Sequence, residues 1–466
     1  MKTILVIPDG VAVRNFLCSS FCEQLAEQGP VTVWHALPEA SIAPHRERLG
    51  ERVRWLRLPP YREPIAERVL RRAKLFSQIH WHGPRDGSTI LLRYLRPPKR
   101  WLPRLVDASA RLLGRLGSFR AGTIAIDRLH GWVASKRRNL RPCLEVLEHE
   151  QPDVVFCAHQ RASRAMPAMT AARKLGIPTA NFIYSWDNLP KGRMVIAADH
   201  YLVWSEHMAD EMAHYYPEVA RQRVHVVGTP QFEPYFDEDL VASRETFLSG
   251  LGLDPRCPVI CYSGCDVASA PYDPSYLADL AQVLRELGPE LAPEDRPQIL
   301  FRRSPADFSD RYDGVLEEFP EIVVSDPIWR VDRDGDWTQI VATSDDVRLL
   351  ANVVRHSDLV VNVGSTMAMD FAICGKPSIF ITYDPPDAEP QLSILHAPGL
   401  PHFRLLGHLR PLTWVAVREH LDAAVRQGLA HPEARAEARR EWVEAQVAHP
   451  LDQATARCVA ALRAIA

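Results

Sequence analysis

The chain has 466 residues, too many for one ordinary hydrophobic core and enough for two domains of about 200 residues each. Hydrophobic residues make up 46% and charged residues 24%, the balance of a soluble globular protein. The formal net charge of −3 gives no global attraction to nucleic acid or membrane, and nine scattered cysteines, an odd number, argue against a disulfide framework.

The chain opens on an apolar strand, Thr3–Ile7, so a signal peptide is not expected, and no apolar run approaches the length of a bilayer span. Pro8, Asp9 and Gly10 follow, then a helix over about Arg14–Glu27 and strands at Val31–Leu37 and Val53–Leu58. This rhythm is that of an α/β domain with a parallel, Rossmann-like sheet. The turn PDGVAVRN lacks the GxGxxG pattern, which argues against a tightly held dinucleotide in this half.

From about Arg62 to Arg141 the texture becomes basic and helical. Arg and Lys outnumber acids several-fold, Arg96, Arg137 and Arg138 among them, and Trp81, Trp101, Phe119 and Trp132 are interleaved. One reading is a solvated helical insertion. The other is a surface for anionic lipid or a lipid-linked pyrophosphate, with aromatics at the interface. No nucleic-acid-binding module accompanies the charge.

Strands return at Pro152–Cys157, Thr179–Tyr184, Asp199–Trp204 and Val224–Val227, with a helix over about Ser163–Leu175. The loop SWDNLPKG, residues 185–192, sets a carboxylate, an amide, an indole and a Lys at a strand's carboxyl end. Ser205 reads as a helix cap. Gln231–Leu240 reads as the interdomain connection, after which the rhythm restarts with strands at Pro258–Ser263, Gln298–Phe301 and Glu321–Val324.

The stretch SDLVVNVGSTMAMDFAICGKPSIFI, residues 357–381, is a strand–turn–helix–strand unit fed by a helix at Asp345–His356. Gly364, Ser365 and Thr366 form a small polar turn at the strand's carboxyl end, where open parallel sheets bind ligands and where backbone N–H groups suit phosphate. Such a turn also serves as a plain tight connection. Asp370 lies on the helix face below Thr366, and Arg302, Arg303 and Ser304 follow a buried strand at the same edge. After Leu405 the chain reads as mostly helical.

Two Rossmann-like halves, DLVVNVGSTMAMDFAICGKPSI, PVICYSGCD, ILFRRSPAD and the SWDNLPKG loop together resemble the GT-B fold glycosyltransferases, most of all bacterial surface-carbohydrate transferases. The resemblance implies an α/β chain with a cleft between domains. Residues 1–235 would form an N-terminal acceptor domain containing the insertion 62–141, residues 236–415 a donor domain, and residues 416–466 terminal helices. It implies a nucleotide-sugar donor, a saccharide or lipid-linked acceptor, no cofactor, and no metal for leaving-group stabilisation. The location it implies is cytoplasmic, at the inner face of the cell membrane.

On that reading Gly264 lets backbone approach a phosphate. Arg302 or Arg303 neutralises the diphosphate, with Ser304 beside them. Gly364, Ser365 and Thr366 hold phosphate or sugar hydroxyls, and Asp370 accepts a ribose or sugar hydroxyl. The base comes from Asp9, His159 or Asp187. Asp187 is favoured because Trp186 would desolvate it and raise its pKa, while Lys191 positions an anionic acceptor. The alternatives are a sugar-nucleotide epimerase of the same fold, a polyol-phosphate transferase using a CDP-glycerol-type donor, and a non-catalytic scaffold that binds nucleotide sugar.

Overall fold

The structure is a computed structural model that describes residues 1–87, 91–95, 97–136, 140–330 and 340–466. The predicted Arg96, Arg137 and Arg138 of the basic segment lie outside the described residues.

Two parallel sheets carry the fold. The first has seven strands, β1 (Thr3–Ile7), β2 (Val31–His35), β3 (Val53–Arg57), β4 (Val154–Cys157), β5 (Thr179–Phe182), β6 (His200–Val203) and β7 (Val224–Val226). Its spatial order is β3-β2-β1-β4-β5-β6-β7. The second has six, β8 (Val259–Ser263), β9 (Gln298–Arg302), β10 (Val323–Val324), β11 (Leu359–Asn362), β12 (Ser378–Ile381) and β13 (Thr413–Val415). Its order is β10-β9-β8-β11-β12-β13. In both sheets the order reverses beside the first strand, the Rossmann arrangement, and this reversal opens a ligand crevice at the strands' carboxyl ends.

Central strands β1, β4, β8 and β11 are buried at every residue. That is why they read as unbroken apolar runs: helices cover both faces of the sheet. Strand β13 was not predicted, because three residues inside an otherwise helical tail give no period to read. The predicted helix at Arg14–Glu27 is two, Val13–Phe16 and Phe21–Glu27. The break follows from Ser19, whose hydroxyl donates to the Asn15 carbonyl (2.6 Å) and accepts from the Phe21 amide (3.2 Å).

The insertion between β3 and β4 is helical, as its periodicity predicts. The helices Ile65–Asp86, Trp101–Leu116 and Arg120–Ser135 share a small core of Leu70, Ala73, Phe76, Ala110 and Ile126. Among the described residues no helix is long and apolar enough to cross a membrane.

The last helix, Ala454–Ile465, belongs with the N-terminal domain. Thr455 donates backbone and side-chain bonds to Glu233, both 2.6 Å, and Arg457 donates to the Val227 carbonyl at 2.9 Å. Cys458 and Leu462 sit in the larger core with residues of the first sheet. All nine cysteines are free thiols.

Candidate functional site

A cleft of about 1110 Å³ runs between the two sheets' carboxyl edges. From the C-terminal domain it is lined by the turns after β8 and β11, Gly264–Asp266 and Gly364–Thr366, and by Ser304 after β9. From the N-terminal domain come Arg161 after β4 and Trp186, Asp187 and Lys191 from the loop after β5. Leu75, Leu91 and Leu95 of the insertion form an apolar wall facing Leu392, Ile394 and Leu400.

The β11 turn is built by short-range chemistry. Asn362 Oδ1 accepts from the Ser365 amide at 2.8 Å, and Ser365 Oγ accepts from the Met367 amide at 3.3 Å and lies 3.4 Å from Ser263 Oγ. Gly364 has φ +72°, and a Cβ there would sit 3.2 Å from the Phe403 ring, so both backbone and packing require glycine. At Gly264 a Cβ would meet Phe301 at 3.0 Å and the Tyr312 hydroxyl at 3.1 Å, which makes that glycine a packing requirement of the core beneath the cleft.

Both predicted arginines lie off the cleft. Arg302 is 5% exposed and pairs with Asp346 at 2.8 and 3.0 Å. Asp346 also accepts from the Ile328 amide (2.8 Å) and Trp329 Nε1 (2.5 Å), so Arg302 ties a loop to the helix Ser344–His356. Arg303 pairs with Asp326 at 3.1 Å and lies over the Phe301 and Tyr312 rings. Asp370 is also elsewhere: it is 4% exposed, accepts from the Tyr235 hydroxyl at 2.5 Å and faces Arg14 at 3.6 Å.

The cleft's N-terminal cation is Arg161, which was not among the expected site residues. It lines the cleft and has no hydrogen-bond or ion-pair partner among the described residues. It stands two residues beyond His159, in the same strand-end loop, and was legible there as a cation at the sheet edge.

Asp187 differs from expectation in its charge. Burial opposes ionisation, but Lys191 beside it outweighs burial and holds the carboxyl well below the usual carboxylate range. Asn188 Nδ2 donates a second bond at 2.8 Å. Asp187 is therefore a fixed anion and a weak base. Trp186 turns its ring toward His402 (5.5 Å) and Phe403 (6.0 Å) of the other domain. Burial and then Lys191 push the His402 imidazole down to about 3, so it is neutral.

His159 and Asp9 form a buried dyad at the ends of β4 and β1, with Nδ1 2.8 Å from Asp9 Oδ2. The carboxylate accepts from Nδ1–H, which leaves Nε2 as the basic nitrogen. Nε2 is buried without a partner, and the ring packs edge-on against Tyr184 at 4.4 Å. Neither residue lines the cleft, although Arg161 in the same loop does.

Sequence spacing held no metal-ligand pattern, yet the fold gathers His82, Asp86 and His214 outside the cleft. Asp86 Oδ2 lies 2.7 Å from His214 Nε2 and 3.3 Å from His82 Nδ1, joining the insertion to the helix Glu206–Tyr215.

No protein-family model and no curated protein matches the chain. Solved structures do match it in fold. The UDP-GlcNAc 2-epimerase of Methanocaldococcus jannaschii is 12% identical with a TM-score of 0.53, over 100% of each chain. That of Neisseria meningitidis, solved with UDP-GlcNAc bound, is 10% identical with a TM-score of 0.54, again over 100% of each chain. A putative UDP-N-acetylglucosamine 2-epimerase of Listeria monocytogenes is 10% identical with a TM-score of 0.54, over 99% of this chain and 96% of that one. With its two Rossmann-like sheets and the cleft between them, the chain has the GT-B fold.

Proposed function

We propose that the protein is a glycosyltransferase that moves a sugar from a nucleotide-activated donor to a saccharide or lipid-linked acceptor in surface-glycan assembly. One observation carries the reading: a single interdomain cleft joins small polar turns on one side to an unpaired guanidinium, Arg161, and an apolar wall on the other. Its volume of about 1110 Å³ lies just above the usual range for one small-molecule ligand, which leaves room for a donor and the reacting end of an acceptor.

In this reading the turns at Gly264, Ser304 and Gly364–Thr366 receive the donor's phosphates chiefly through the Ser304, Ser365 and Thr366 hydroxyls, since the Gly264 and Ser365 amides are already bonded to the Arg302 carbonyl and Asn362 Oδ1. Arg161 approaches the diphosphate from the facing domain and stabilises the charge that grows as the sugar–phosphate bond breaks. The acceptor oxygen forms its bond to the anomeric carbon, the nucleoside diphosphate leaves, and the acceptor proton passes to a base of the N-terminal domain, where Asp187 lines the cleft and the His159–Asp9 dyad lies buried behind the Arg161 loop. Asp187 and Lys191 act as a fixed ion pair that positions the acceptor. The apolar wall suits the hydrocarbon of a lipid-linked acceptor, reached from the inner, cytoplasmic face of the membrane.

The fold likeness to structures named as UDP-GlcNAc 2-epimerases favours a second reading, isomerisation of the nucleotide sugar itself. Incubation of the purified protein with UDP-, GDP-, CMP- and dTDP-activated sugars, with and without membrane extract, decides between them. Nucleoside diphosphate release that requires acceptor supports transfer. An epimerised nucleotide sugar formed from donor alone overturns transfer and establishes the second reading.

A further inference from the structure

We infer that the outer faces of the helices Trp101–Leu116 and Arg120–Ser135 form a docking surface for an anionic lipid bilayer. The inference does not rest on the chemistry of the cleft.

The first of these helices is strongly amphipathic with its apolar stripe turned the wrong way for a soluble protein. Trp101 is 73% exposed, Leu105 57%, Leu112 63% and Leu116 70%. Those positions recur at helical spacing and share one face. Phe119 in the turn, then Leu129 and Trp132 on the second helix, extend the patch at 49%, 45% and 58% exposure. Beside them Ala121, Ile124 and Ala125 line a shallow apolar concavity. Single exposed leucines are ordinary; a contiguous set on two adjoining helices marks an interaction surface.

The charge on that face selects the occupant. Of the acidic residues of the two helices, Asp107 is buried and Asp127 is half-buried, and both are neutralised by ion pairs. Asp107 pairs with Arg72 and Arg111, and Asp127 with Lys74 and Arg193. What remains outward is basic: Arg104, Arg115, Arg120, Arg128 and Lys136 are exposed around the apolar patch. Lys136 lies over the Trp132 ring at 5.7 Å. A second copy of the chain would set these cations against themselves in a two-fold contact. An anionic bilayer offers hydrocarbon to the leucines, a headgroup layer to the indoles and phosphate to the arginines.

The platform is rigid. A Cβ at Gly114 would lie 2.7 Å from the Ala73 carbonyl and from Phe76 Cβ, so glycine lets this helix seat directly on Ile65–Asp86. Arg111 stacks over Phe76 at 4.4 Å and pins the same contact. Leu75 of that supporting helix lines the cleft. One helical layer thus has the docking face outside and a cleft wall inside.

The test is co-sedimentation of the full chain with vesicles of phosphatidylcholine alone or with phosphatidylglycerol added, together with sedimentation velocity without lipid. Binding should need the anionic lipid and weaken as salt rises. The quadruple variant R104Q/R115Q/R120Q/R128Q should bind anionic vesicles at least a hundredfold more weakly, since each surface cation contributes roughly a factor of five. The variant L105Q/L112Q/L116Q, at exposed positions where folding is insensitive, should lose binding while keeping every charge. Absence of vesicle binding by the unaltered chain overturns the inference. So does a concentration-dependent dimer that the leucine variant abolishes, which would assign the face to a second copy.

Discussion

The Arg14 guanidinium lies 3.6 Å from the Asp370 carboxylate, although one follows β1 of the first sheet and the other follows β11 of the second. The Tyr235 hydroxyl joins them, donating to Asp370 at 2.5 Å, and Arg14 also donates to the Gln231 carbonyl at 3.3 Å. The two domains and the segment that connects them therefore meet in one polar joint. Because Asp370 is buried, removing its cation strands a charge, which costs about 3 kcal/mol. Arg14→Met should lower the thermal midpoint accordingly, and Tyr235→Phe by the smaller cost of one hydrogen bond, about 1 kcal/mol. An Arg14→Met protein that melts with the parent would show that the pair does not hold the domains.

Asp370 also sets a pH dependence. Burial raises its pKa, and Arg14 offsets only part of that rise. Between the unfolded carboxylate value and the raised one, the native state holds a proton that the unfolded chain has released, and above that window Asp370 is the anion that Arg14 balances. The proton's contribution is complete below the unfolded carboxylate value of about 3.9 and is lost as the pH climbs through the raised one. Asp370→Asn should flatten this part of the stability profile, measured as the thermal midpoint from pH 4 upward. An unchanged slope would assign the profile to other groups.

Glu211 provides a second titration, nearer neutrality. Burial pushes its carboxyl up to about 8, the Asp187 charge adds to the effect, and Arg404 opposes it. Its Oε2 is buried without a partner, and His207 stands 3.8 Å from Oε1. Stability from the neutral acid is present at low pH and falls as the pH rises through about 8. Glu211→Gln keeps the shape without the charge. Its midpoint should lie nearest the parent's at about pH 4, below the unfolded carboxyl value, and exceed it increasingly as the pH rises toward about 8. A difference that does not widen with pH would mean the carboxyl is already ionised in the native state.

Most of the scaffold was legible in the chain because buried parallel strands must be apolar at every position. The segments ending at Ile7, Cys157, Ser263 and Asn362 all announced themselves that way. The polar turns at Gly364 and Gly264 were legible for a related reason, since only small residues fit a sheet's crowded carboxyl edge. Partnership was not legible. Nothing local to Arg302 says that Asp346 will claim it, and helical spacing alone cannot turn Asp370 away from Thr366 toward Arg14. His402 lies in the stretch between β12 and β13, where irregular backbone carries no period. Lys191, expected to bind acceptor charge, acts first on Asp187.

The reassignment from Arg302 to Arg161 can be measured. An unpaired guanidinium on a diphosphate is worth about 1.5–3 kcal/mol, or roughly ten- to a hundredfold in Kd. Arg161→Ala should weaken nucleotide binding by that factor, followed as the ligand-induced rise in melting temperature, with little change in the unliganded midpoint. Arg302→Gln should do the reverse, lowering the unliganded midpoint by stranding Asp346. Loss of nucleotide binding in Arg302→Gln at unchanged stability would return the phosphate role to the buried arginine.

The choice of base is the sharpest separation of the two carboxylate-bearing loops. Asp187 is held ionised by Lys191, which lowers its affinity for the acceptor proton. His159 has Nδ1 fixed by Asp9 and Nε2 unbonded, but the ring is buried behind the cleft wall and has to be uncovered to reach an acceptor. With the dyad as base, His159→Gln should reduce kcat by about 10²–10⁴-fold with the donor's effect on melting intact. Asp9→Asn should fall less, because the amide oxygen can still accept from Nδ1–H while the ring loses its neighbouring anion. Asp187→Asn should raise KM for the acceptor more than it lowers kcat, as expected of a group that positions. If His159→Gln keeps its rate while Asp187→Asn abolishes turnover at unchanged KM, Lys191 must release Asp187 when substrate binds, and the base is the aspartate after all.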